Sequence, residues 1–177
     1  LLREGVGLQM MADVPLGPFL SGGVDSSTIV ALMQVQSPRP VETFTIGFDE
    51  ASYDEMRYAE AACRRFGTRA HHYYLTPADV AAAAPKIAAY YDEPFGNSSA
   101  VPAYFCATMA RQTGMTCLLA GDGGDEILAG NSRYLEQQVY IRYGRLPGAL
   151  RTALKLAAFR TPILRSTRLW ARAQHYV

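Results

Sequence analysis

Ser21-Gly22-Gly23-Val24-Asp25-Ser26-Ser27 stands between a short apolar run, Gly17-Pro18-Phe19-Leu20, and a helical pattern, Thr28-Ile29-Val30-Ala31-Leu32-Met33. A strand, a glycine turn and a helix N-terminus are the parts of a phosphate cradle. The first turn of a helix leaves backbone N–H groups unpaired and carries the positive end of the helix dipole, so an anion is stabilised there. Two glycines, Gly22 and Gly23, let the backbone approach phosphate oxygens, and Ser21, Ser26 and Ser27 add hydroxyl donors. Asp25 would repel a bare phosphate and makes sense chiefly where a divalent cation bridges its carboxylate to the phosphate oxygens. The stretch is neither GxxxxGK(S/T) nor GxGxxG. It also reads, more blandly, as a Ser/Gly turn ahead of a helix cap.

Outward from this stretch, apolar runs at about 16–20, 41–48, 69–75 and 116–120 are short and rich in β-branched or aromatic residues. Helical patterns at about 26–36, 54–66, 77–91 and 99–114 separate them. Strands spaced by helices predict a parallel sheet built from βαβ units. Before the first strand, Leu1, Leu2, Val6, Leu8, Met10 and Met11 fit an apolar helix face. Asp54-Glu55 opens one helix, which closes with Arg64, Arg65 and Gly67, and Thr76-Pro77 opens the next. From Arg133 onward the pattern is helical, broken at Leu146-Pro147-Gly148 and Thr161-Pro162.

In open parallel sheets ligands bind beyond the C-terminal ends of the strands. Three loops then converge: Ser21–Ser27 after the first strand, Gly47-Phe48-Asp49-Glu50 after the second, and Ala120-Gly121-Asp122-Gly123-Gly124-Asp125-Glu126 after the fourth. The last packs three glycines and three carboxylates into six residues. Its amides could form an anion nest, and Asp125 could face Asp25 as a second Mg²⁺ ligand. Taken alone, it is equally an acidic turn that caps a helix.

The first motif resembles the SGGxDS signature of the PP-loop ATP pyrophosphatases. With FTIGF at Phe44–Phe48, Ser52-Tyr53-Asp54-Glu55, His71-His72, Asp92-Glu93-Pro94-Phe95, Pro102 and AGDGGDEILAG at 120–130, the chain resembles the synthetase domain of the glutamine-dependent asparagine synthetases over roughly residues 1–135. The resemblance implies a three-layer α/β/α fold of the adenine nucleotide alpha hydrolase type, with residues 136–177 as a helical, Arg-rich extension. It implies ATP-dependent amide formation through an acyl-adenylate, converting aspartate to asparagine and releasing AMP and pyrophosphate. Phe19 and Ile46 would flank the adenosine, with Ala120 and Gly121 approaching from the other side. Asp25 and Asp125 would hold Mg²⁺ against the pyrophosphate, and Asp122 would stand near the reacting acyl group.

In that family ammonia comes from a glutaminase domain whose nucleophile is an N-terminal cysteine, whereas residue 1 here is Leu. A lysine far beyond the second motif meets the phosphates, and neither Lys86 nor Lys155 corresponds to it. The chain is therefore expected to be the core of a larger amidotransferase. Other readings are a relative acting on a different carboxylate, such as a β-lactam-forming synthetase, a non-catalytic ATP-binding module, and an RNA-modifying enzyme of the same superfamily.

At 177 residues the chain is long enough for one domain that buries about 70% of its unfolded surface. No apolar run reaches the length of a membrane span and no signal-peptide layout is present, so a soluble cytoplasmic protein is expected, with small-molecule substrates and neither nucleic-acid nor membrane partners. A homodimer is left open. Cys63, Cys106 and Cys117 are widely spaced in apolar segments and read as reduced core residues. The net charge of +1 hides a division: residues 1–131 hold 8 basic and 15 acidic side chains, and 132–177 hold 9 basic and one acidic. The arginines of the tail alternate with apolar residues, Trp170 among them, as on amphipathic helices. His71 and His72 are read as ending the third strand in a structural role, because no cluster with metal-ligand spacing accompanies them. Tyr90, Tyr91, Tyr104 and Phe105 are read as core or cleft wall.

Overall fold

The computed structural model describes residues 1–50, 54–93, 96–129 and 132–152. The chain divides into two compact units, Leu1–Gly130 and Asn131–Val177. The first opens with helix α1 (Leu2–Gln9) and then runs β1 (Leu16–Pro18), α2 (Val24–Gln34), β2 (Glu42–Phe48), α3 (Met56–Phe66) and β3 (Arg69–Leu75). Helices α4 (Pro77–Tyr90) and α5 (Ala100–Gln112), strand β4 (Cys117–Leu119) and the short α6 (Asp125–Leu128) complete it. β1 pairs with β4 and β2 with β3, both in parallel, and a parallel bridge from Phe19 to Phe44 links the pairs in the order β4-β1-β2-β3. The expected alternation of strands and helices is present, and the strands are parallel.

The junction between β1 and β2 is thin for a chemical reason. The N–H of Phe19 donates to the carbonyl of Leu119 at 2.9 Å and that of Leu20 to the carbonyl of Phe44 at 3.0 Å. This alternation aims position 18 at β2, and Pro18 has no N–H to give. At Gly17 a Cβ would lie 2.5 Å from the carbonyl oxygen of Glu42, so only glycine lets the two strands approach there.

The two faces of β2 follow its period of two. Thr43 and Thr45 are buried on one face, where Thr43 Oγ1 lies 3.3 Å from Cys63 Sγ and Thr45 donates to the carbonyl of Leu20 at 2.7 Å. Leu20, Val30, Ala59 and Cys63 form the core between sheet and α2 and α3. On the opposite face Phe44, fully buried, packs on Cys106 and Ala110 of α5. Helices on both faces make unit Leu1–Gly130 a three-layer α/β/α arrangement. Burying a side chain the size of Phe44 stabilises by about 2–3 kcal/mol.

The ends of the elements are chemically marked. Asp54 does not begin α3 but stands before it, its Oδ1 accepting the N–H of Met56 at 3.3 Å and that of Phe48 at 3.4 Å. Gly67 closes the helix in the left-handed region, φ 72°. Thr76 and Asp79 cap the start of α4 reciprocally, the Thr76 hydroxyl accepting from Asp79 N at 3.2 Å and the Asp79 carboxylate accepting from Thr76 N at 2.9 Å.

Several expectations about side chains change. Only Val6 of α1 is buried, against Met33 and Val41, while Leu2, Leu8 and Met11 are exposed. His71 and His72 are the third and fourth residues of β3 rather than its end. His71 Nε2 meets the Glu42 carboxylate and its ring stacks on Phe44 with centroids 5.0 Å apart. Tyr90 is 81% exposed, because α4 ends there with its last turn turned away from the core. Cys63 and Cys106 are buried, but Cys117 opens the outermost strand with its side chain exposed.

In the second unit α7 spans Ser132–Gly144, the helix breaks at Leu146-Pro147, and helical backbone resumes over 148–152. Readings that fall on 153–177, including Thr161-Pro162 and Trp170, lie outside the described residues. Among the described residues no helix is long and apolar enough to cross a membrane.

Candidate active site

β1 delivers the chain to Ser21, and the turn that follows is fixed from two sides. Gly22 has φ 86°, and a Cβ there would lie 2.5 Å from the backbone N of Ala59 and 2.6 Å from Tyr58 Cβ, so the turn is pressed against α3. Gly23 then caps α2 in extended conformation, with no side chain taking up the first-turn N–H groups. The amide end of α2 is left to face whatever enters the cleft.

The serines divide their work. Ser26 is buried; its Oγ lies 3.0 Å from Ser21 Oγ, accepts from Ser21 N at 3.2 Å and donates to the carbonyl of Gly23 at 3.3 Å. Ser21 Oγ accepts from Gly23 N at 3.2 Å. The Ser26 hydroxyl, expected as an outward donor, is instead a clasp that closes the loop. Ser27 N donates to the carbonyl of Gly23 at 3.0 Å as part of the helix.

The second glycine loop lies directly on this helix end. A Cβ at Gly121 would sit 3.0 Å from Ser26 N and 3.1 Å from the Asp25 carbonyl carbon, and one at Gly124 would sit 2.6 Å from Asp25 Cβ and Cγ. Gly123 turns the loop at φ 83°. Asp25 is thereby walled in: its Oδ1 is shielded from solvent without a hydrogen-bond partner. Burial first, then a hydrogen bond with Asp125 and the charges of Asp125 and Glu126, raise the Asp25 carboxyl above its ordinary value. A shielded, unpartnered carboxylate oxygen beside further carboxylates is the donor set that a hard divalent cation would relieve, so Asp25 and Asp125 fit Mg²⁺.

A cleft of about 510 Å³ opens at the C-terminal ends of β1, β2 and β4. Phe19, Ser21, Asp25, Ser26, Ile46, Ala120, Gly121 and Asp122 all line it. Gly22, Gly23, Ser27 and Asp125 are not part of its wall: they hold the loop, cap or continue α2, or stand beside Asp25. Sequence reasoning did not place Ser99 or Cys106, which the start of α5 brings to the cleft, nor Glu55 from ahead of α3. Pro102 was marked as a matching position without a location, and it lies on the same wall. Cys106 lies buried at the base, where burial pushes its thiol up to about 12. A larger hollow of about 610 Å³ lies between Phe19, Arg111 and Met115 and has neither glycine loop nor carboxylate.

Residues 1–176 match the family model described as asparagine synthase. A putative glutamine-hydrolysing asparagine synthetase 2 of Methanocaldococcus jannaschii is 42% identical over 154 residues, which cover 85% of this chain and 29% of the relative. The glutamine-hydrolysing asparagine synthetase 1 of Bacillus subtilis is 32% identical over 153 residues, or 86% of this chain and 24% of the relative. Among solved structures, an NH3-dependent NAD synthetase from Campylobacter jejuni aligns with 98% of this chain and 89% of its own at a TM-score of 0.48 and 11% identity. The chain thus spans between a quarter and three tenths of the length of these two curated relatives.

Proposed function

The chain belongs to the asparagine synthase family, whose model it matches over residues 1–176, and from this premise we propose that it carries the ATP-dependent, amide-forming half of a glutamine-dependent asparagine synthetase. In the proposed reaction the side-chain carboxylate of aspartate attacks the α-phosphorus of ATP. Pyrophosphate leaves, and ammonia then displaces AMP from the acyl-adenylate. The observation that carries the proposal is the contact between the two glycine loops, which sets the uncapped start of α2, the Asp25 carboxylate and Asp122 around one cleft.

Each residue has a physical task in this reading. The N–H groups of Val24, Asp25 and Ser26 stabilise charge on the departing pyrophosphate. The Ser21–Ser26 clasp and the Gly22 contact with α3 hold those amides in place before substrate arrives, which lowers the cost of ordering the loop at the transition state. Phe19 and Ile46 offer apolar walls to the adenosine, and the buried floor at Phe44 and Cys106 keeps water from the mixed anhydride. Asp122, exposed at the rim, orients the acyl acceptor or its amine. Mg²⁺ held by Asp25 and Asp125 would supply neutralising charge beside the phosphates.

Calorimetric titration of the 177-residue chain with ATP, with and without Mg²⁺, tests the binding half. Magnesium-dependent binding that Asp25→Ala weakens by about tenfold or more (~1.4 kcal/mol) is the expected result. Equal affinity in wild type and variant would overturn the role given to Asp25. Aspartate-dependent exchange of pyrophosphate into ATP tests the chemistry, and tight binding without exchange would reassign the chain as a nucleotide-binding module.

A further inference from the structure

β3 and β4 are the two ends of the strand order, and they differ in length, seven residues against three. Among the described residues no strand pairs with the outer side of β3. The register shows what that side presents. Arg69 N donates to the carbonyl of Val41, and Arg69 pairs with Glu42, so Arg69, His71, Tyr73 and Leu75 turn their backbone groups toward β2. Ala70, His72 and Tyr74 therefore direct both N–H and C=O outward, a row of unmatched donors and acceptors on exposed residues.

We propose that this edge pairs with the same edge of a second copy of the chain, antiparallel about a two-fold axis through His72. Hydrogen-bonded pairs in an antiparallel ladder must join residues that both face outward, which selects His72 opposite His72 and Ala70 opposite Tyr74. That register is self-complementary in side chains as well as in backbone. The small Ala70 meets the Tyr74 ring, which is 47% exposed, and on the other face His71 meets Tyr73, which is 38% exposed. Arg69 falls opposite Leu75, so no side chains of like permanent charge are opposed. The rings are already held: His71 is stacked on Phe44 with centroids 5.0 Å apart and Tyr73 on Phe105 at 5.6 Å, so little side-chain freedom is lost on pairing. The pairing would make one continuous sheet across two copies, with the nucleotide clefts at the ends of other strands and left open.

Sedimentation of the 177-residue chain from micromolar to sub-millimolar loading tests the proposal. A concentration-dependent dimer is expected, and a monomer throughout would overturn it. His72→Asp, which sets two carboxylates against each other across the axis without touching the core, is expected to shift dissociation at least tenfold toward monomer at unchanged circular dichroism. A dimer indifferent to that change places the interface elsewhere and also overturns the proposal. His72→Cys in a Cys117→Ser background supplies an independent reading, because Cα atoms of an opposed hydrogen-bonded pair lie about 5.5 Å apart, within disulfide reach. Oxidation should yield a covalent dimer from His72→Cys and none from Val35→Cys in the same background. Equal yields, or none from His72→Cys, would refute the register.

Discussion

Gly124 and Asp25 approach so closely that a methyl group on the glycine would lie 2.6 Å from both Cβ and Cγ of the aspartate. Real side chains do not tolerate that distance, so one loop must move. Gly124→Ala should displace either the Gly121–Gly124 loop or the Asp25 side chain, and weaken Mg²⁺-dependent ATP binding by at least about tenfold. Titration calorimetry on a variant with wild-type circular dichroism checks this. Unchanged affinity would show that the contact between the loops is not needed for the site.

Asp25→Asn should stabilise the ligand-free protein while impairing its binding of Mg²⁺ and ATP. The native environment holds the Asp25 carboxyl above its ordinary value of 3.8 by burial and by Asp125 and Glu126. A raised carboxyl pKa means that the folded state holds the proton more firmly than the unfolded chain does, so wild-type stability declines as pH rises from about 4 through the folded value. The asparagine has no such decline. Melting temperatures of the two proteins should nearly coincide near pH 4 and diverge toward neutrality, with the variant higher. Added MgATP should reverse the order at neutral pH.

Ala129→Gly should stabilise the chain. Ala129 ends α6 at φ 60°, ψ −161°, a region that residues with a Cβ rarely occupy. Such strain costs on the order of 1–3 kcal/mol, and glycine returns part of the gain through greater freedom in the unfolded state. A net increase of about 1 kcal/mol in urea denaturation is expected. A loss of stability would mean that the Ala129 methyl group makes a contact worth more than its strain.

Thiol chemistry should separate the three cysteines. Cys117 is exposed, whereas Cys63 and Cys106 are buried and Cys106 has its thiol pushed up to about 12. At pH 8 only roughly one part in 10⁴ of Cys106 is thiolate, and the reactive species is the thiolate. A chromogenic disulfide reagent should report a single fast thiol in the native protein, lost in Cys117→Ser, and the remaining two only in denaturant.

The alternation of strands and helices was legible because each element carries its own chemistry: Thr76-Pro77 ahead of α4, Arg64-Arg65-Gly67 at the close of α3, and β-branched runs between. The two glycine loops were legible for the same reason, since a loop that approaches phosphate needs residues without a Cβ. What escaped depends on tertiary direction. The Ser26 hydroxyl and a phosphate-binding hydroxyl look alike in a string of letters, and only the position of Ser21 and Gly23 decides between them. Ser99 and Cys106 reach the cleft because α5 crosses Phe44, a contact between residues more than fifty positions apart. Cys117 was misread because apolar neighbours in sequence do not reveal that its strand lies outermost.

Pro18 leaves the sheet with a seam. The Ser21–Ser27 and Gly121–Gly124 loops both spring from the β1–β4 half, whereas Ile46 and Phe48 belong to the β2–β3 half. The mouth of the cleft is thus a joint between two plates, one gripping phosphate and the other bracing the nucleoside. Its width answers to the packing of Phe19 and Phe44 more than to any ladder of backbone bonds, so a change of volume in those rings, far from every charged group, would alter how wide the protein holds itself for its nucleotide.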